Sequence, residues 1–124
     1  MTTTRDQILD AERIDVLRKL EGDGNPGLVA QIVHLFVDGL PEQLEAIGAA
    51  LRSGKPDQVR RIAHLLGGAA AGVGACRVRR LAADLEKWGK EPGGAPPFDL
   101  FETLRQECAV VAEELRPLAQ GERP

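Results

Sequence analysis

Apolar residues recur at three- and four-residue spacings along nearly every stretch of this chain, and nowhere do they alternate over a sustained run. That periodicity admits helices and leaves no segment suited to a half-buried strand. A short first helix is expected from Ala11 to Leu20, with Ile14, Leu17 and Leu20 on one face, broken by Gly22-Asp23-Gly24. Asn25 is a good N-cap and Pro26 a good first residue for a second helix. Its stripe is Leu28, Ile32, Leu35, Phe36, Gly39, Leu44, Ile47 and Leu51, and Pro41 inside it should bend the helix. Ser53-Gly54 ends this element.

Pro56, followed by Asp57 near the positive helix end, opens a third helix. Val59, Ile62, Ala63, Leu66, Ala70 and Val73 form its stripe, and Gly72 and Gly74 close it. A fourth helix carries Val78, Leu81, Ala82, Leu85 and Trp88 up to Gly89. After a Pro/Gly-rich loop from Glu91 to Pro97, Asp99 with Glu102 reads as a capping box for the last helix. There Phe101, Leu104, Cys108, Val111, Leu115 and Leu118 make a stripe suited to bundle packing. Residues beyond Ala119 are expected to fray. The fold class expected is all-α: an antiparallel up-down four-helix bundle with a short additional N-terminal helix. Its 124 residues suffice for one domain, 1–124, with an ordered core from about 8 to 119.

Charge and composition narrow the function. Sixteen Lys+Arg against nineteen Asp+Glu leave a net charge of −3, and aromatics are only 3%, so nucleic acid is not an expected partner. The longest uncharged run, Ile62 to Cys76, is shorter than the ~20 residues a membrane span needs, and the N-terminus lacks a signal-peptide pattern. Cys76 and Cys108 fit no metal-ligand or redox spacing, and His64 with Cys76 does not either. No metal and no cofactor is expected of this chain, and a cytoplasmic monomer is the expected form.

One constellation carries chemistry. At about 100° per residue, His64 falls well off the apolar stripe of the third helix, with Gly68 and Ala71 following on its face. Arg60 and Arg61 stand on the preceding turn. A helix-interior glycine costs roughly 1 kcal/mol relative to alanine, so Gly67-Gly68 is an expense that close approach of a partner would explain. Gly67 lies nearer the buried side and can be read as a packing residue; Gly68 cannot. His34 is also off its helix's apolar stripe but has no such setting. Neither a P-loop nor a dinucleotide fingerprint fits these glycines. Arg77, Arg79 and Arg80 read as a solvated basic face, and Trp88 as a cap on the core.

The run Ala63-His64-Leu65-Leu66-Gly67-Gly68, followed by Gly74-Ala75, resembles the central signature of histidine-containing phosphotransfer (HPt) domains. That signature is Ala-His-x-Leu-Lys-Gly with Gly-Ala six residues further on, and Ala63, His64, Leu66, Gly68, Gly74 and Ala75 match it. Leu9-Asp10, Leu20-Glu21-Gly22-Asp23, Leu35-Phe36, Leu40-Pro41-x-x-Leu44 and Leu81 to Glu86 extend the likeness over most of the chain. Where the family has lysine three residues after the histidine, this chain has Gly67. Arg60 and Arg61 are then the cations expected near the phosphoryl group.

The resemblance implies a phosphocarrier rather than an enzyme. His64 would accept a phosphoryl group from the aspartate of a receiver domain, or from a sensor histidine kinase, and pass it to a response regulator. Mg²⁺ would come with the receiver. Phosphoryl transfer needs in-line positioning and charge neutralisation more than covalent machinery. Gly68 and Ala71 would let the receiver close in, and Ile14 and Leu17, taken as exposed, are the expected docking residues. Two other readings stay open: a binding module that sequesters a receiver or kinase without being phosphorylated, and the phosphotransfer domain of a chemotaxis-type kinase. The chain's own start favours a stand-alone protein over the last.

Overall fold

The structure is a computed structural model and describes residues 8–120. Five helices follow one another: α1 (Ala11–Gly22), α2 (Leu28–Arg52), α3 (Pro56–Gly72), α4 (Cys76–Lys90) and α5 (Phe98–Ala119). No strand occurs among the described residues. Short connections make successive long helices antiparallel: α2 packs on α3, α3 most extensively on α4, α4 on α5, and α5 closes the ring against α2. Of the residues beyond Ala119 expected to fray, Gln120 caps α5 and 121–124 lie outside the described residues.

The core is the shared interior of these four helices. Val33, Ile47, Val59, Leu66, Val78, Leu85, Leu104, Val111 and Leu115 are all fully buried, and no polar or charged residue is buried with them among the described residues. Pro41 sits inside α2, where it withholds the N–H that Val37 would otherwise accept, yet the helix continues through it. Two details of the α2 stripe differ from expectation. Leu35 is 78% exposed, while Val29, Val33 and Leu40 are buried instead. The first turns of α2 carry an apolar arc wider than half the helix, interrupted by Gln31 and His34, so spacing alone leaves the exact inward direction ambiguous there.

Helix α1 is too short to be stable alone and is held by its neighbours. Ile14 and Leu17 point into the core, at 9% and 1% exposure, and α1 lies against α2. These two residues were expected to be exposed for docking; the structure places both inside. Burying such side chains contributes roughly 1.5–3 kcal/mol each, the main force ordering this segment. Leu20, expected on the same face, is 46% exposed. Asp10 caps α1, its carboxylate accepting from Glu12 N at 3.0 Å and Arg13 N at 3.4 Å. Its own N–H donates to Gly74 O at 2.7 Å, and Arg13 Nε donates to Gly72 O at 3.0 Å. Gly74 makes that junction possible, with φ +77° and Asp10 O only 3.1 Å from where a Cβ would stand.

Helix starts were the least legible feature. Asn25 does not cap α2: its side-chain amide donates to Leu20 O at 2.8 Å, and α2 begins after Gly27. The carboxylate of Glu21, in the last turn of α1, accepts instead from Val29 N at 3.0 Å. Helix α5 opens after Pro97 without a side-chain cap, and Glu102 pairs with Arg105 rather than closing a capping box.

Candidate functional site

Helix α3 divides into two faces. Val59, Ala63, Leu66 and Ala70 are fully buried, and across the helix His64, Gly68 and Ala71 face solvent. The His64 side chain is 70% exposed. A Cβ added at Gly68 would meet nothing within 4 Å, whereas one at Gly67 would touch the Ala82 Cβ at 3.6 Å. Gly67 thus faces α4 and Gly68 faces outward. Beside His64 the helix presents a strip of small residues, Gly68 and Ala71, whose far end is bordered by the start of α1 at Gly72 and Gly74.

The partner of His64 comes from α4. Glu86 Oε2 stands 3.1 Å from His64 Nδ1, and Lys90 Nζ reaches the same oxygen at 3.4 Å. Burial pushes the Glu86 carboxyl up, but the hydrogen bonds and charges of His64 and then Lys90 outweigh it and hold the group below its ordinary range. An ionised carboxylate can only accept, so the ring nitrogen facing it, Nδ1, carries the proton. In the neutral ring the lone pair is then on Nε2.

Arg60 and Arg61 run elsewhere. Arg60 donates through Nε and Nη2 to Asp57 Oδ1 at 3.1 and 2.8 Å, and Arg61 Nε lies 3.5 Å from Asp57 Oδ2. The Arg60 hydrogen bond and charge, with Arg61, hold the Asp57 carboxyl below its ordinary range. Both contacts lie nearly two turns before His64. The sequence did not single out Glu86 as a partner of His64, although it ends the Leu81–Glu86 segment of the resemblance. Helix α4 brings it back across 22 positions. Gly67 lies opposite Ala82 in the same register, but no spacing within either helix announces that Glu86 will stand beside His64.

The other candidates fall in different places. Ile14 and Leu17 are core residues, and the exposed apolar side chains of α1 are Val16 and Leu20, each 46% exposed. Leu65, beside His64, is 65% exposed. His34 lines a groove on α2 with Gln31, Leu35, Asp38 and Ala119, and none of the residues around His64 takes part in it. Among the described residues there is no cluster of three metal-binding side chains and no helix long and apolar enough to cross a membrane.

Residues 31–114 match the family described as Hpt domain. The chain belongs to that family. Two solved Hpt proteins share its fold. Histidine-containing phosphotransfer protein B from Pseudomonas aeruginosa superposes with a TM-score of 0.83 at 23% identity, covering 95% of this chain and 99% of that one. A histidine-containing phosphotransfer protein from maize gives a TM-score of 0.81 at 25% identity, covering 91% and 83%. Histidine-containing phosphotransfer protein 5 of Arabidopsis thaliana is 33% identical over 76 residues, 57% of this chain. That match spans 47% of the Arabidopsis protein's length. Within this Hpt domain the departure from the family signature is Gly67, in place of lysine.

Proposed function

We propose that this Hpt protein is a histidine phosphocarrier of a two-component phosphorelay. The observation that supports it best is His64, held at Nδ1 by Glu86 and bared at Nε2 beside the open face of Gly68. The Nε2 lone pair attacks the phosphorus of a receiver's aspartyl phosphate. The bond to the aspartyl oxygen breaks, and the carboxylate leaves. No proton moves: the ring becomes cationic with its proton still on Nδ1, facing the Glu86 carboxylate. Transfer to the next receiver runs the same step backwards, with Mg²⁺ supplied by the receiver. A sensor histidine kinase is the alternative donor.

Gly68 and Ala71 form the surface over which the receiver closes. Val16, Leu20 and Leu65 are the apolar docking residues, taking the role first given to Ile14 and Leu17. The protein acts as a phosphocarrier and not as an enzyme. A cytoplasmic monomer fits its net charge and the absence of a membrane-crossing helix among the described residues. Light scattering tests the oligomeric state.

A second reading, a module that binds a receiver without being phosphorylated, draws on Gly67 standing where the family has lysine. Incubation with a panel of phosphorylated receivers separates the two. Label arriving on His64 supports the carrier; stable complexes without label support the binding module.

A further inference from the structure

A phosphoryl group on Nε2 brings a dianion next to a carboxylate. The ring's new positive charge offsets only part of it, so the site needs a mobile cation. The residue at the family's lysine position has no side chain to offer. Nor is that position crowded, since a Cβ at Gly67 would make only an ordinary contact with Ala82. Arg60 and Arg61 on α3 are drawn back to Asp57, nearly two turns from His64, and Glu86 on α4 is itself an anion. Lys90 is paired too, but with the very carboxylate that holds the ring. Its ammonium shares the Glu86 oxygen that holds His64, which puts it within two hydrogen-bond lengths of the ring. Its side chain is 59% exposed, on a four-carbon stem free to swing from the carboxylate toward Nε2.

We propose that Lys90 is the cation that neutralises the phosphoryl group on His64, with Glu86 holding it ready beside the ring. The task has moved from the helix of the histidine to the end of the neighbouring helix. Before transfer, Lys90 and Glu86 cancel each other; after it, Glu86 faces the cationic ring and Lys90 faces the phosphoryl oxygens. Lys90 is a positioning and neutralising residue, and the inference rests on His64 being the acceptor.

The test loads the protein with phosphoramidate. Nε2 displaces ammonia from phosphorus, so no partner protein is needed. The pH midpoint of the phosphoryl ³¹P resonance is then followed. A nearby cation favours the dianion and lowers that midpoint, so Lys90→Met should raise it. The rise should correspond to tenfold or less in the protonation constant, because exposed charges are screened by water. Lys90→Arg should keep the wild-type midpoint, Gly67→Lys should restore it in the Lys90→Met protein, and Arg61→Ala should leave it in place. A midpoint unmoved by Lys90→Met, or moved by Arg61→Ala instead, overturns this assignment alone. Failure of the wild-type protein to load at all overturns the phosphocarrier reading beneath it.

Discussion

Gly89 lies against Arg60 so closely that a Cβ at position 89 would stand 2.8 Å from both the backbone nitrogen and the Cβ of Arg60, and 2.7 Å from Pro56 O. No side chain fits there. This contact pins the end of α4 to the start of α3 one turn from the Glu86–His64 pair. The sequence suggested that Gly89 stops α4; instead α4 runs through it to Lys90.

Gly89→Ala should therefore destabilise the bundle by overpacking, by about 1–3 kcal/mol, read from denaturant unfolding. It should also push Glu86 off His64, since α4 must back away from α3. Loss of the preferred Nδ1–H tautomer in ¹⁵N spectra of the imidazole would report that displacement. Wild-type stability in the variant would mean the two helices are not in contact at this point.

Glu86 links the site to pH. Its carboxyl is held below the ordinary glutamate value of 4.5, so the folded state favours the ionised form. A depressed folded pKa contributes stability that is fully present above the unfolded value and is lost as pH falls through the folded one. The contribution is present above the ordinary carboxylate value and fades as pH falls below about 4.5. Melting curves of the wild type and Glu86→Gln should differ most above pH 5 and converge in acid. A gap that widens in acid would contradict the sign.

Gly68→Gln should leave the fold intact and raise stability by up to about 1 kcal/mol, because a strong helix former replaces a glycine with open space around it. Transfer from a phosphorylated receiver should fall sharply, while loading by phosphoramidate, a far smaller donor, should be affected much less. Equal loss with both donors would mean that Gly68 matters for something other than the approach of a protein.

Much of the fold was legible because four stripes with a helical period, punctuated by Gly54, Gly74 and the loop from Glu91 to Pro97, leave few arrangements open. The outward directions of His64 and Gly68 also follow from that period, since their helix has one strongly apolar face. Helix α1 was misread for a physical reason. In a twelve-residue helix with Ile14, Val16, Leu17 and Leu20, either edge could face inward, and the choice falls to Gly74 and Gly72 anchoring Asp10 and Arg13. Glu86 and Lys90 could not be attached to His64 by local spacing, because their relation depends on the register between two helices. The cap supplied by Glu21 was hidden likewise, lying in the preceding helix rather than at the start of its own.

Docking should follow the corrected face of α1. Val16→Asp with Leu20→Asp should weaken receiver binding by tenfold or more in titration calorimetry with little change in melting, since both side chains are nearly half exposed. Leu17→Asp should unfold the domain instead. Unaltered binding by the Val16 and Leu20 double variant would place the docking surface elsewhere.

The central claim is that His64, and no other residue, takes the phosphoryl group. Phosphoramidate loading followed by intact and fragment mass spectrometry under alkaline conditions tests it most directly. The wild type and His34→Gln should each gain a single phosphoryl group on His64, and His64→Gln should gain none while keeping its helicity. Undiminished loading of His64→Gln, or label lost with His34→Gln, would contradict the account.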